Sequence, residues 1–276
     1  MSLILALLAQ VGPFVTPESR PVSPLPPELQ ERRKADRGTD ETEKPKTDLE
    51  RCLADTRSKP EQAAVSAEKW LRKSEAMERA RAGHCLGVAL VRLQLWDEAA
   101  AAFVEGRDAL AGEDPAYRAR LGAMAGNALL AEGETESALD LLDIAKEDGG
   151  TADQPVMVGS IEMDRARALV ALGREDEAEA ALSGAREALP ENAQAWLLSA
   201  TLSRRMGKLA EAQAQIEKAA ELLPVDLEIG LEAGRIAMLS GREATARKSW
   251  QSVVDAAPGS EAANKAQSYL EQLDGQ

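Results

Sequence analysis

Three kinds of small or turn-forming residue recur along the C-terminal half of the sequence at one constant interval. The interval is 34 residues in each series, and the series are Gly173, Gly207 and Gly241; Ala178, Ala212 and Ala246; and Pro190, Pro224 and Pro258. Several coincident registers with one period indicate stacked supersecondary units, each of which buries its apolar face only against its neighbours. Looser copies around Gly87 and Gly126 lie 39 and 40 residues before the next copy, and we expect loops at residues 112–115 and 149–155 to hold the extra residues.

The composition restricts these units to helices. Aromatic residues make up 3 % of the 276-residue chain, and alanine, the strongest helix former, supplies much of its 44 % apolar content. β-Sandwiches and parallel-sheet enzymes need many β-branched and aromatic residues in their strands, so the composition argues against both. The net charge of −14 argues against nucleic acid as a partner, because binding a duplex requires many phosphate contacts from lysine and arginine.

The order of residue types within one repeat is also regular. The copy at residues 193–224 has aromatic and small residues on its first helix, then a turn glycine, alanine, a large apolar residue, alanine and proline, at Trp196, Ala200, Gly207, Ala212, Ile216, Ala219 and Pro224. Neighbouring copies keep this order, and the pattern resembles the tetratricopeptide repeat over about 210 residues. The resemblance implies an all-α fold, an α-solenoid of stacked antiparallel helix pairs (a tetratricopeptide-like superhelix) with a C-terminal capping helix.

The resemblance also predicts boundaries and core positions. We expect helix pairs at about residues 48–74, 80–111, 116–148, 159–190, 193–224 and 227–258, and a cap at residues 260–273. Glycines such as Gly87, Gly126 and Gly234 are expected where the two helices of a pair touch. Four tryptophans are predicted to be core residues, namely Trp70, Trp96, Trp196 and Trp250.

The first 47 residues do not follow the repeat. Residues 1–15 contain an apolar run of seven residues, which is too short to span a bilayer but typical of a secretory signal peptide, although no basic residue precedes it and no Ala-x-Ala site follows it. Residues 16–47 are rich in proline and charge and predict a disordered linker. We therefore predict an exported, periplasmic protein that contacts a membrane only through an uncleaved N-terminus, if at all. The alternative is a cytoplasmic protein with a mildly apolar N-terminus.

The chain has two cysteines, Cys52 and Cys85, which are 33 residues apart and therefore close to one repeat. Equivalent positions in neighbouring repeats lie side by side on adjacent first helices, within the Cα separation that a disulfide needs. We predict a disulfide if the protein is exported, and two buried thiols if it is cytoplasmic. His84 is the single histidine, so a zinc site lacks ligands, and we predict no metal, cofactor or catalytic residue.

Charge is divided unevenly between the two helices of each repeat. In the proteins that this chain resembles, the first helices line a concave groove, and 25 such positions here hold seven arginines and one glutamate, a sum of +6. The second helices carry 20 acidic and 9 basic residues. The predicted partner-binding groove consists of Arg81, His84, Arg92, Arg120, Asn127, Met163, Arg167, Leu197, Arg204, Arg205, Leu231 and Arg235. Alternatively, the arginines pair with acids on neighbouring first helices, such as Glu132, Glu162, Asp164 and Glu232.

These features together predict a non-enzymatic scaffold for protein–protein interaction. A basic groove would bind an acidic or amphipathic segment of a protein or peptide partner, because the planar arginine fork suits carboxylates, and the complex would serve assembly in the cell envelope. The alternative is a structural repeat protein that self-associates and binds no foreign peptide. A third hypothesis is an enzyme with a site in the N-terminal hairpins, which no phosphate loop or nucleophile–base pair supports.

Overall fold

The structure, a computed structural model, describes residues 47–275, and within that range it contains thirteen helices and no strand. The helices are α1 (Asp48–Asp55), α2 (Pro60–Leu71), α3 (Ala76–Arg92), α4 (Trp96–Asp108), α5 (Pro115–Glu132), α6 (Thr135–Thr151), α7 (Pro155–Ala171), α8 (Glu175–Ala188), α9 (Ala193–Arg205), α10 (Leu209–Leu222), α11 (Leu227–Leu239), α12 (Glu243–Ala256) and α13 (Glu261–Asp274). Consecutive helices pack together from α1 to α4 and from α6 to α13, which confirms the predicted all-α solenoid. The signal-like residues 1–15 and all but the last residue of the predicted linker lie outside the described residues.

The described chain divides into two compact units. The N-terminal unit comprises residues 47–111 with residues 131–133, and the C-terminal unit comprises residues 112–130 with residues 134–275. The N-terminal unit contains α1 to α4, and the C-terminal unit contains most of α5 and all of α6 to α13. Each unit has its own buried apolar residues, among which alanine is the most frequent type.

The residues of the 34-residue period lie where the helices of the C-terminal unit begin and end. Gly173, Gly207 and Gly241 follow α7, α9 and α11 with φ values of +73°, +76° and +71°, a conformation that glycine adopts without steric cost. Asn192 caps the start of α9 and Asp226 caps the start of α11, each through a side-chain oxygen that accepts backbone N–H bonds. The period therefore marks one turn within each helix pair and one connection between pairs.

Glycine on the first helix lets a large side chain of the second helix pack against its backbone. A Cβ added to Gly87 would overlap the Phe103 ring, and a Cβ added to Gly234 would overlap the Trp250 indole. Phe103 is 1 % exposed and Trp250 is 4 % exposed, so both fill the interior of their units. The Trp250 Nε1 group donates a hydrogen bond to the Leu231 carbonyl at 3.2 Å, which satisfies its polar edge.

Three extra residues of one looser repeat are helical, and the loop predicted at residues 149–155 is limited to residues 152–154. Helix α6 continues to Thr151, so that α6 and α7 have 17 residues each, whereas α9 to α13 have 13 or 14 residues. Gly149 lies within α6, and a Cβ there would come within 3.1 Å of Val158 Cγ2 on α7. This glycine was mistaken for a turn residue because sequence spacing does not distinguish a flexible residue from one that lets two helices approach.

The four tryptophans differ in burial. Trp250 is in the core as predicted, whereas Trp70, Trp96 and Trp196 are only half-buried. The Trp196 Nε1 group donates to the Pro190 carbonyl at 2.9 Å, and the Arg186 guanidinium lies 5.4 Å from its ring centroid.

Within residues 47–275, no helix combines the length and the apolar character needed to cross a membrane.

Candidate functional site

The predicted groove residues lie on the first helices of the repeats, in both units. Arg81, His84 and Arg92 lie on α3 of the N-terminal unit. The others lie in the C-terminal unit, on α5, α7, α9 and α11, and are Arg120, Asn127, Met163, Arg167, Leu197, Arg204, Arg205, Leu231 and Arg235. We call the side chains that α5, α7, α9 and α11 present outside the core the first-helix surface of the C-terminal unit.

Four of the predicted groove residues belong to the core instead. His84, Met163 and Leu197 are each 9 % exposed, and Leu231 is 1 % exposed. The ring of His84 lies 6.5 Å from that of Phe103, and Leu231 packs in the cluster that contains Trp250. Their assignment to a partner-binding surface is corrected: these side chains point between helices and leave little area for a partner.

The most connected polar group of the first-helix surface is the Glu232 carboxylate on α11. Glu232 is 3 % exposed, and Arg204 Nε of α9 donates to its Oε1 at 2.5 Å. Arg235 Nη1 donates to Glu232 Oε2 at 3.1 Å. Arg235 also donates from Nη2 and Nε to the Tyr269 hydroxyl of α13, at 2.7 and 3.2 Å. One buried carboxylate thus orients two arginines and, through Arg235, connects α9, α11 and α13.

A second group connects α5 with α7. Asn127 Nδ2 donates to Asp164 Oδ2 at 2.8 Å, and Arg167 Nη1 donates to the other carboxylate oxygen. Burial raises the pKa of the Asp164 carboxyl above its ordinary value, although the charge of Arg167 and the Asn127 hydrogen bond oppose this shift. The Asn127 Oδ1 atom is buried and accepts no hydrogen bond from the described residues.

Internal ion pairs reduce the positive charge that the sequence predicts for this surface. Of the 25 first-helix positions counted in the sequence, those in the C-terminal unit hold five arginines and the one glutamate, Glu228, a sum of +4. Three acids outside the predicted set, Asp164, Glu175 and Glu232, pair with four of these arginines and lower the sum to +1. Arg120 is exposed and pairs with no acid in the described part of the chain. The surface is therefore mildly basic, and its arginines are mostly held in place.

In the N-terminal unit too, one predicted arginine pairs with an acid and one does not. Arg81 pairs with Glu78 of its own helix at 2.5 Å, and both side chains are more than 40 % exposed. Arg92 at the end of α3 is exposed and makes no ion pair among residues 47–275. An exposed pair of this kind contributes little to stability, so neither arginine has an evident structural task.

The acids that hold the arginines left a partial signal in the sequence. Two acid–arginine pairs have the same spacing of three residues, namely Asp164 with Arg167 and Glu232 with Arg235. The second pair follows the first by 68 residues, which is two periods of 34. The alternative that arginines pair with first-helix acids therefore holds for Asp164 and Glu232. It does not hold for Glu162, which binds Lys146 Nζ at 2.5 Å and Arg165. Tyr269 was missed because the capping helix lies outside the repeat.

The N-terminal unit contains a disulfide between Cys52 and Cys85. It joins α1 to α3, and the two Cα atoms are 6.1 Å apart, within the range that a disulfide spans. Cys85 is 0 % exposed, whereas Cys52 is half-buried.

Within residues 47–275, no three His, Cys, Asp or Glu side chains are grouped so that they could hold a metal ion.

Comparison with known proteins shows likeness in structure only. No protein-family model matches the chain, and no curated protein sequence matches it. Among solved structures, PilW, described as a widely conserved type IV pilus biogenesis factor, is 18 % identical over 78 % of this chain and 94 % of its own, with a TM-score of 0.64. Pseudomonas aeruginosa pilF is 17 % identical over 80 % of this chain and 95 % of its own, with a TM-score of 0.63.

A third solved structure shows the same likeness. YrrB, described as a TPR protein with an unusual peptide-binding site, is 18 % identical over 74 % of this chain and 99 % of its own, with a TM-score of 0.54. At identities of 17–18 % such likeness shows the fold and not the activity. The chain therefore has the fold of tetratricopeptide-repeat proteins.

Proposed function

We propose that this protein is a non-enzymatic interaction scaffold whose first-helix surface in the C-terminal unit binds an acidic or amphipathic segment of a partner protein. The fold supports the general part of the proposal, because repeat solenoids bind partners through extended surfaces. YrrB, which has this fold, is described as having a peptide-binding site. The partner's acidic character is our inference from the arginines of this chain.

The observation that carries the proposal is the way in which buried carboxylates hold arginines with unused donors. Arg204 donates to Glu232 from Nε alone, and Arg167 donates to Asp164 from Nη1 alone, among the described residues. A guanidinium has five N–H groups, so each of these arginines keeps donors for a second carboxylate. Because the internal ion pair already fixes the side chain, binding a partner costs less conformational entropy.

Apolar side chains on the same helices supply the rest of the contact. Leu239 at the end of α11 is 58 % exposed, and Leu130, Val170 and Met238 are half-buried. Arg120 and Arg205 lie on the same set of helices and contribute charge. Aliphatic and cationic side chains on the same helices favour a segment that carries both leucine-type and acidic residues.

The test uses the full chain and two charge-reversal variants matched in net charge. One variant carries Arg120→Glu and Arg205→Glu, which avoid the arginines that neutralise Glu232 and Asp164. The control carries Lys218→Glu and Lys248→Glu, which lie on the second helices α10 and α12. Binding is measured by fluorescence anisotropy with a labelled Asp/Glu/Leu peptide and with the same peptide in which lysine replaces the acids.

We expect the acidic peptide to bind the parent and the control alike, and to bind the first-helix variant at least about tenfold more weakly, since each reversal removes an attraction of about 0.5–1 kcal/mol and adds a repulsion. Addition of salt should weaken binding by the parent. Equal affinity for both variants, or preference for the lysine peptide, would contradict the proposal. Arg120 and Arg205 would then have no part in partner binding.

Self-association without a foreign ligand is the second candidate, and exposed apolar side chains favour it. Val225 is 77 % exposed and Leu223 is 48 % exposed in the connection before α11, close in sequence to the surface described above. Sedimentation velocity over a range of concentrations distinguishes the two candidates. A monomer at high micromolar concentration excludes self-association as the function.

The proposal includes export to the periplasm, where the scaffold would serve assembly of an envelope complex. The disulfide supports export, because such bonds persist in oxidising compartments. PilW, which has a similar fold, is described as a pilus biogenesis factor. Titration of the denatured, unreduced protein from its native cell checks this: we expect no free thiol, and two free thiols would contradict export.

A further inference from the structure

The N-terminal unit has a cleft that the proposed function does not use. It has a volume of about 410 Å³ and lies between α2, α3 and α4. Its apolar walls include Leu86 and Leu90 of α3, together with Val65 of α2, which is 52 % exposed. An opening of this size with apolar walls accommodates two or three side chains of a peptide.

The rim of the cleft is acidic. Glu68 of α2 and Glu98 and Glu105 of α4 line it, and no basic residue does. Glu68 pairs with Arg72 and Glu105 pairs with Arg79, and neither arginine is among the residues that line the cleft, whereas Glu98 is exposed and makes no ion pair within residues 47–275. The cleft therefore suits a segment that carries an apolar side chain next to several cations.

The chain itself contains one such segment. Residues 29–37, Leu-Gln-Glu-Arg-Arg-Lys-Ala-Asp-Arg, begin with a leucine and hold Arg32, Arg33 and Lys34, the only run of three consecutive basic residues in the sequence. Four basic and two acidic residues give this segment a charge of +2 in a chain whose total is −14. It also follows the predicted leader at residues 1–15, so cleavage there would leave it in place.

The disulfide brings this segment within reach of the cleft. Thr47 precedes Cys52 by five helical residues, which span about 9 Å. Cys52 and Cys85 have their Cα atoms 6.1 Å apart, and Cys85 adjoins Leu86 in the cleft wall. The Cα atoms of Thr47 and Leu86 are thus within about 20 Å, whereas the twelve residues 35–46 can span about 40 Å.

We propose that the basic segment at residues 29–37 docks into the acidic-rimmed cleft of its own N-terminal unit, with Leu29 against the apolar walls and Lys34 beside Glu98. Docking of this kind is intramolecular, so its effective concentration is in the millimolar range and weak contacts suffice. It covers apolar surface on a face that does not belong to the first-helix surface.

The test is zero-length carbodiimide cross-linking of the full chain, followed by mass spectrometry, with no partner added. We expect an amide between Lys34 and Glu98 within one chain, absent in the Glu98→Gln variant. Arg32→Glu together with Arg33→Glu should lower its yield at least about fivefold, because these reversed charges are repelled by the rim. Sodium chloride at about 0.5 M should have a similar effect through screening.

A matched pair of variants on exposed valines separates docking from general charge effects. Val65→Lys places a cation at the cleft and should lower the yield, whereas Val156→Lys, on α7 of the C-terminal unit, should leave it unchanged. Two results would overturn the proposal: Lys34 linked indiscriminately to acids of both units, or links only between copies in a mixture of isotopically labelled and unlabelled chains. Because no partner peptide is present, neither result bears on the proposed function.

Discussion

Helix α1 at the start of the described chain and helix α11 near its end are fixed by different interactions. Helix α1 has eight residues, none of them buried, and a covalent bond from Cys52 ties it to α3. Helix α11 buries six residues and joins its neighbours through Glu232 as well. Within residues 47–275, α11 is held by packing and polar contacts with neighbouring helices, whereas α1 buries no residue of its own and depends on the covalent bond.

The largest expected effect comes from removing the covalent tie. Replacing Cys52 and Cys85 with serine should lower the free energy of unfolding of the N-terminal unit by about 3–4 kcal/mol, because the unfolded chain regains the freedom of a loop of 33 residues. Hydrogen exchange should show loss of protection throughout α1 and unchanged protection in α11. Persistent protection of α1 in the variant would mean that packing alone holds it.

The next largest effect should come from Glu232 in the C-terminal unit. Glu232→Ala leaves Arg204 and Arg235, whose side chains are each 20 % exposed, without their shared carboxylate. We expect a loss of about 3 kcal/mol in urea unfolding, at the lower end for a broken buried pair because the arginines keep some access to water. The control is Glu228→Ala, one turn earlier on the same helix and exposed, which should change stability by less than about 0.5 kcal/mol. Equal effects would show that α11 does not depend on the ion pairs.

The smallest effect concerns what the two units share, the contact between glycine and a large ring. Gly87→Ala and Gly234→Ala should each cost about 1–3 kcal/mol, because the added methyl group would overlap Phe103 or Trp250. Gly150→Ala is the control, since it lies in helix α6 with no atom within 4 Å of its Cβ position, and it should stabilise by about 0.5–1 kcal/mol. Thermal unfolding measures the stability of all three variants. A neutral Gly87→Ala would mean that the N-terminal unit does not depend on close contact between this glycine and Phe103.

The first-helix positions show where sequence reasoning reached its limit. The periodicity placed the twelve predicted residues on the correct helices, but it did not tell Leu231, at 1 % exposure, from Arg120, which is exposed. Both lie on first helices, and a helix position faces a neighbour or the solvent according to the rotation of that helix in the stack. The rotation depends on which side chains meet across the contact, as between Gly234 and Trp250.

The sequence by itself determined the fold class and the helix pairs of the regular repeats, and it predicted that the two cysteines lie close enough to bond. Their causes are local or periodic: glycines with positive φ values, capping residues, and a recurring spacing of 34 residues. Only the tertiary structure decided that residues 149–151 are helical, that four predicted groove residues are core, and that acids such as Glu232 hold most of the arginines. These features arise from contacts between different helices, and a charge pattern along one chain does not show which side chains meet there.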